Sequence, residues 1–157
     1  MQWVQGIRVR AERCDEGNIF DAKLIVLWGT NRPSTLSDAS TFNVLRAKER
    51  GIPVIQIEHR LNMSGEVLAD QWIPIRPTTD VAMMIAMANV WLKENLCDKE
   101  YITKYVEPEG YKKWVAYVLG QEDGVDKTPQ WAEVICGVPA ETITEFARLY
   151  ARSKPVH

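Results

Sequence analysis

Histidine and cysteine are scarce in this chain. It has two histidines, His59 and His157, and three cysteines, Cys14, Cys97 and Cys136. No two cysteines stand at CxxC spacing, so local cysteines cannot build a zinc or an iron–sulfur site. Their odd number also argues against a disulfide framework. With one histidine at the very end of the chain, a histidine-based nucleophile system finds no support. An excess of one charge is missing too: 19 basic and 21 acidic residues give a formal net charge of −2. That balance gives no footprint for nucleic acid and no basic face for a membrane surface. Met1 leads into Gln2, Trp3 and Val4 rather than the basic, apolar, small-residue order of a leader. One stretch, Val81 to Leu92 (VAMMIAMANVWL), is apolar except for Asn89. It falls short of the about 20 residues that cross a bilayer and reads as a buried helix.

What is present suits a soluble α/β protein. The 157 residues are 46% apolar and 25% charged, enough for one domain with a real core. Leu24-Ile25-Val26-Leu27 is a continuous apolar run, which fits a strand buried on both faces. Gly29 permits a sharp exit from it. The hydroxyl-rich stretch from Ser34 to Ser40, with Pro33 and Asp38, can start a helix. Phe42, Leu45 and Lys48/Glu49 then follow at helical spacing. Gly51 and Pro53 end that helix. Pro53 to Glu58 (PVIQIE) is a second strand. Strand, helix and strand over residues 22–58 form a βαβ unit, which requires parallel pairing and a right-handed crossover. Residues 59–71 read as loop. Trp72 to Ile75 is a short extended piece that Pro74 limits to an edge or a bend. Pro77-Thr78-Thr79-Asp80 offers cap chemistry ahead of the buried helix. The rest is helical: Asp98–Val106, Tyr111–Leu119, a helix opened by Thr128-Pro129 and closed by Gly137, and a last helix carrying Ile143, Phe146, Ala147 and Tyr150. Gln121 to Asp126 is an exposed loop. The expectation is a single α/β domain over 1–157, with a βαβ nucleotide-binding part at 21–80 and a helical part at 80–155.

In an open parallel sheet, ligands bind at the carboxyl ends of the strands. The first strand ends in Trp28-Gly29-Thr30-Asn31-Arg32, which supplies a glycine, a hydroxyl, an amide and a guanidinium. The second ends in Glu58-His59-Arg60. A carboxylate there can accept from ribose hydroxyls, and Arg60 can pair with phosphate. Asp80 follows the third extended piece, and a carboxylate accepts two parallel hydrogen bonds, as the N1–H and N2–H edge of guanine requires. Each residue also has a plainer reading. Gly29 serves as a turn, Asp80 as a helix cap, Glu58 and Arg60 as a surface ion pair, and His59 as a surface residue. No GxGxxG motif is present, so residue chemistry alone leaves nucleotide binding open.

Four spaced motifs resemble one family. Ala22 to Asn31 (AKLIVLWGTN) is similar to the strand and WGxNP loop of molybdopterin-dependent oxidoreductases of the dimethyl sulfoxide reductase family. Gly51 to Arg60 (GIPVIQIEHR) resembles the family's strand ending in IDPR. Ala69 to Asp80 (ADQWIPIRPTTD) resembles AD-x-W-x-PIRPGTD. Lys127 to Ala151 (KTPQWAEVICGVPAETITEFARLYA) resembles KTPEWA…GVPAE-x-I…LAR-x-YA. The resemblance runs from about Asp21 to Pro155. It departs from the family at Arg32, which precedes Pro33, at Glu58-His59 in place of Asp-Pro, and at Thr79, read as replacing a glycine. A β-branched residue disfavours positive φ, so the turn before Asp80 is expected to differ.

The resemblance implies a Rossmann-like parallel sheet with flanking helices and a helix-rich C-terminal half. It implies that the chain is an internal fragment of a catalytic subunit using molybdenum bis(molybdopterin guanine dinucleotide). Trp28, Gly29, Thr30 and Asn31 would line the phosphate and ribose of one cofactor arm. Glu58, His59 and Arg60 would meet the ribose and adjoining groups, and Thr79 and Asp80 would contact guanine. No catalytic residue and no metal ligand is expected within the segment. Cys14 lies too near Trp28 to be the metal ligand, and any 4Fe-4S cluster belongs to the parent. The parent would reduce dimethyl sulfoxide or a related S- or N-oxide in anaerobic respiration. Its partners would be the rest of the same subunit, an iron–sulfur electron-transfer subunit and a membrane anchor. This segment itself would touch neither nucleic acid nor membrane. The segment does not fix localisation: the parent is either exported, on the outer face of a membrane, or cytoplasmic. Two alternatives stand beside this: a segment of a non-redox hydratase or transhydroxylase, and a non-catalytic nucleotide-binding α/β module.

Overall fold

The structure is a computed structural model that describes residues 16–31, 33 and 40–157. Cys14, Arg32 and the hydroxyl-rich helix start from Ser34 lie outside the described residues. Three short strands form one sheet in the order β1-β2-β3: β1 Ile25–Trp28, β2 Val54–Glu58 and β3 Gln71–Pro74. Both pairings are parallel. Trp28 stands opposite Ile57, and Glu58 opposite Pro74, so the three strands end together. The α/β expectation holds, and Pro74 sits on an edge strand, where its missing N–H is tolerated. Pro155 to His157 run parallel along the outer edge of β1. Lys23 N donates to the Pro155 carbonyl at 2.8 Å, Val26 N to that of His157 at 2.9 Å, and His157 N to that of Leu24 at 3.0 Å.

Helices cover both faces of β1 and β2, which is why these two strands are largely apolar runs rather than alternating ones, whereas edge strand β3 buries only Ile73. Helix α1, Ser40–Glu49, and a 3-10 turn, Glu16–Asp21, pack on the first face. There Ile25, Leu27 and Val54 meet Ile19, Ala22, Val44, Ala47 and Leu68. The buried side of α1 is Val44 and Ala47. Phe42, read as part of the helical spacing, is 53% exposed and lies under the Arg46 guanidinium. Gly51, at a φ of 84°, ends this turn as expected. The segment read as loop between β2 and β3 contains a one-turn helix, α2, Met63–Val67. Asn62 caps it, its Oδ1 accepting from Ser64 N and Gly65 N.

The second face is covered by α3, Asp80–Lys93, with α6, Pro129–Cys136, and α7, Ala140–Arg152. Met83, Ala86, Met87 and Val90 of α3 are buried against the sheet and these helices. Each large aliphatic group so buried contributes roughly 1.5–3 kcal/mol. The polar Asn89 in this run is also buried, and its Nδ2 donates to the Val118 carbonyl at 3.2 Å and to Asp126 Oδ1 at 2.6 Å. The short α4, Lys99–Tyr105, and α5, Pro108–Val118, complete the helical half. Thr128 caps α6 through Trp131 N, Pro129 takes the first position, and Gly137 closes the helix at a φ of 74°. The loop over 121–126 is exposed, and it is pinned. Lys127 is buried at 2% exposure, and its Nζ binds both Asp123 oxygens at 2.8 and 2.6 Å. Among the described residues, no helix is long and apolar enough to cross a membrane.

Candidate functional site at the carboxyl edge of the sheet

Because the strands are parallel and end in register, their exits meet on one side. Gly29 leaves β1 at a φ of 58°, a left-handed conformation natural for glycine, and its N–H donates to the Ile57 carbonyl at 3.0 Å. Glu58 ends β2. After β3, the chain turns at Arg76 to Thr79 and enters α3 at Asp80. A pocket of about 150 Å³ lies between these exits, lined by Gly29, Ile57, Glu58, His59, Ile75, Arg76, Pro77, Thr78 and Asp80. A larger apolar hollow of about 300 Å³, lined by Trp91, Cys97, Tyr150 and Val156, lies at the opposite edge, beside the start of β1. The carboxyl edge is where open parallel sheets bind ligands, so the smaller pocket is the candidate site.

One contact organises the pocket. Trp28 Nε1 donates to Asp80 Oδ1 at 2.7 Å, across 52 residues of sequence. The indole is itself held edge-on by Phe146, with ring centroids 6.4 Å apart. A carboxylate fixed in this way retains lone pairs on both oxygens for a ligand. At the end of β2, Glu58 Oε1 accepts from His59 N at 2.9 Å and contacts His59 Nδ1. The plain expectation of a Glu58–Arg60 ion pair is therefore replaced by a Glu58–His59 contact. Trp72 Nε1 donates to the Glu58 carbonyl at 3.0 Å and ties β3 to this end. Among the described residues, no group of three or more histidine, cysteine or acidic side chains is gathered to hold a metal ion.

The turn before Asp80 corrects one expectation. Thr79 was read as the residue replacing a family glycine, but Thr79 has a φ of −108° and Thr78 has a φ of 66°. Setting PIRPTTD against PIRPGTD residue by residue also puts the glycine at Thr78. The left-handed turn is thus kept despite a β-branched residue. Surrounding bonds hold it. Arg76 N donates to the Cys136 carbonyl at 2.9 Å, and Arg76 Nη1 to the carbonyls of Val134 at 2.7 Å and Ile135 at 3.2 Å. Thr79 Oγ1 donates to the Arg76 carbonyl at 2.7 Å rather than capping α3.

The expected site residues divide into two groups. Gly29, Glu58, His59 and Asp80 line the pocket, and Trp28 and Thr79 support its wall. Thr30 and Asn31 are engaged on the other side, toward α2. The Thr30 carbonyl accepts from Gln56 Nε2, and Asn31 Oδ1 accepts from Ser64 Oγ at 3.3 Å. Arg60 is exposed beside the pocket rather than among its lining residues. Sequence reasoning missed Gln56, Asn62, Arg76 and Thr78. A lone glutamine inside the apolar run PVIQIE was the available signal for the first of these.

Three parallel strands between helical layers, with a pocket at their carboxyl edge, define a Rossmann-like α/β protein. The chain belongs to the molybdopterin oxidoreductase family, whose model it matches over residues 7–147. It is 39% identical to the dimethyl sulfoxide reductase DmsA of Haemophilus influenzae, over 88% of this chain and 19% of that protein. It is 35% identical to the large subunit of pyrogallol hydroxytransferase from Pelobacter acidigallici, over 87% of this chain and 16% of that one. The acetylene hydratase of Pelobacter acetylenicus has a similar solved structure, with a TM-score of 0.69 and 26% identity, covering 90% of this chain and 20% of that one. The chain therefore spans about a fifth of the length of these relatives.

Proposed function

We propose that this chain holds the guanosine end of one arm of a molybdenum bis(molybdopterin guanine dinucleotide) cofactor, as part of a larger catalytic subunit. The observation that carries this reading is the Asp80 carboxylate, fixed by the Trp28 indole beside a pocket formed by all three strand exits. The pocket of about 150 Å³ is smaller than the roughly 300–1,000 Å³ of a complete small-molecule site, which suits one end of a long ligand. Asp80, with Thr79 beside it, accepts the N1–H and N2–H donors of guanine. Glu58 offers a ribose hydroxyl the carboxylate oxygen that His59 leaves over. Gly29 meets phosphate from the pocket wall. Thr30 and Asn31 reach phosphate and ribose through groups other than the Thr30 carbonyl and Asn31 Oδ1, which are turned toward α2, and the guanidinium of Arg60 pairs with phosphate. When bound, the cofactor supplies the metal centre for two-electron oxygen-atom transfer. This chain's residues bind and orient one end of it.

In this reading the whole protein reduces dimethyl sulfoxide or a related S- or N-oxide in anaerobic respiration, with an iron–sulfur electron-transfer subunit and a membrane anchor as partners. The similarity to a hydroxytransferase and a hydratase favours a second reading, a non-redox parent using the same cofactor. The pocket meets only nucleotide groups in either case, so that choice lies with the rest of the enzyme. The test is a GDP titration of the chain followed by backbone amide NMR shifts, with ADP as control. We expect weak binding, at about millimolar affinity, because an isolated subsite has few contacts to set against association entropy. Shifts should gather at residues 29–31, 58–60 and 78–80, and GDP should bind more tightly than ADP. Equal binding of the two, or shifts centred elsewhere, would overturn the reading.

A further inference from the structure

Gln56 is a polar residue that core packing does not explain. It lies in the middle of β2, opposite Leu27, and is fully buried. Its side chain shares the sheet face of Ile25, Leu27 and Val54, where an aliphatic group would need no desolvation. Gln56 Nε2 donates to Asn62 Oδ1 at 2.7 Å and to the Thr30 carbonyl at 3.3 Å. Asn62 Nδ2 reaches the same carbonyl at 3.5 Å. One buried amide thus joins β2, the loop leaving β1 and the cap of α2.

The other half of that amide has no partner. Gln56 Oε1 is buried without a hydrogen bond. It occupies space left by Gly65, where a Cβ would lie 2.2 Å from it. An unsatisfied buried oxygen is a net loss for folding. Methionine has similar length and flexibility with no amide to desolvate, so stability alone would favour it at this position. What the glutamine adds is a fixed Thr30 carbonyl. Gly29 exits β1 in a left-handed conformation, and the turn after it is anchored through that carbonyl.

We infer that Gln56 is a positioning residue for nucleotide binding: its buried amide holds the Gly29–Asn31 turn in the shape that meets the ligand. The inference rests on reading the carboxyl edge as a nucleotide site. Gln56 touches no ligand itself and acts through Thr30 and Asn62. A turn already held in its binding shape loses less conformational freedom when the ligand arrives.

The experiment uses the 157-residue chain, GDP as probe and the variants Gln56→Met, Asn62→Asp and Asp80→Ala. Affinity is read from amide shifts at a temperature well below every melting point, so that a fall in Tm cannot imitate a loss of binding. Gln56→Met should melt no lower than the parent chain and bind GDP about tenfold more weakly. Amide hydrogen exchange should quicken at residues 29–31 and at the α2 cap around Asn62, and not in the rest of the sheet or in α3 to α7. Asn62→Asp keeps the α2 cap and the acceptor for Gln56 but removes the Nδ2 donor to Thr30. It should shift both readouts in the same direction by less, and it carries the test if the methionine variant does not fold. Unchanged affinity and exchange in these variants, with Asp80→Ala still losing GDP, would overturn the role of Gln56 alone. A parent chain that gives no GDP shifts at all would overturn the nucleotide reading and this inference with it.

Discussion

Asp80 has a structural role and the proposed guanine contact, and substitution can separate the two. Its Oδ1 accepts the Trp28 indole N–H at 2.7 Å, and it is the first residue of α3, in the positive field of the helix start. Asp80→Ala removes both and leaves a half-buried N–H without its acceptor. The stranded donor costs about 1–3 kcal/mol, and the lost charge at the helix start about 0.3–1 kcal/mol. A combined loss of about 1.3–4 kcal/mol lowers Tm by roughly 3–16 °C in a chain of this length. Asp80→Asn keeps Oδ1 for the indole and gives up only charge, so it should lose about 1 kcal/mol or less and melt within about 2–4 °C of the parent. Binding should not follow that order. With its oxygen held by Trp28, the asparagine turns an NH₂ donor toward the donor edge of guanine. Loss of a hydrogen bond to a charged group, about 1.5–3 kcal/mol, weakens GDP by about 10- to 100-fold in both variants. Calorimetric melting and the NMR titration read the two tasks separately. An asparagine variant that binds GDP like the parent would mean that Asp80 orients Trp28 and starts α3, and does nothing for guanine.

Three further outcomes are expected. Thr78→Gly should hold or raise stability, because relief of about 1–2 kcal/mol of left-handed strain outweighs the glycine entropy of about 0.5–1 kcal/mol. Thr79→Gly, at a φ of −108°, relieves no strain and loses the bond to the Arg76 carbonyl, so it should destabilise by about 1–2 kcal/mol. Equal effects in denaturant unfolding would contradict the assignment of the strained turn. Gly65→Ala should destabilise by about 1–3 kcal/mol by pressing on Gln56, and pairing it with Gln56→Ala should recover part of that loss in a double-mutant cycle. Additive losses would mean that the two side chains do not share the space. For pH, hydrogen bonds from Arg148, Lys127 and Lys93 hold Glu94, Asp123 and Asp126 below their usual values of 4.5 for glutamate and 3.8 for aspartate. Their folded pKa values are depressed, so the stability they lend is present above the unfolded values and lost as pH falls through the folded ones. Tm should stay level from about pH 7 to 5 and drop below about pH 4. Glu94→Gln should make the drop shallower, and a decline already under way above pH 5 would point to other groups.

The sequence patterns that were legible are those set by period and by local chemistry. The apolar runs of β1 and β2, the Thr128-Pro129 start and Gly137 end of α6, and the buried α3 all depend on features within a few residues of one another. Contacts that close over distance were not legible. Trp28 and Asp80 were each named as site residues, but nothing local says that the indole holds the carboxylate. Gln56 looked like an interruption in a strand, because its partners Thr30 and Asn62 come together only once β1 and β2 pair. α2 was read as loop because five residues carry too little periodicity to register. Its stability comes from the Asn62 cap and from Leu68 packed just beyond its end. The spacing of Phe42, Leu45 and Lys48/Glu49 marks α1 as a helix without saying which face is inward, and the burial of Val44 and Ala47 decides that.

The departures from the family pattern fall at strand exits, and the physical constraints explain where change is tolerated. Residues inside β1 and β2 are buried between two helical layers, so a change of one methylene is felt on both sides. At the exits, one side faces the pocket and the backbone is held by bonds to neighbouring elements. Thr78 illustrates the consequence. A left-handed φ is expensive for threonine, yet the turn persists because Arg76 is clamped to the end of α6 and Thr79 is tied back to Arg76. The scaffold, rather than the residue, sets the geometry there. The same holds at Gly29, where Gln56 and the Ile57 carbonyl fix the path of the turn. Strain at Thr78 thus occurs at the edge where the candidate ligand sits, and the unsatisfied polarity of Gln56 lies behind that edge, under the turn it holds. The opposite edge carries neither feature: its hollow is lined by apolar groups such as Trp91, Tyr150 and Val156. A fold built only for stability would have placed glycine at the first position and an aliphatic side chain at the second.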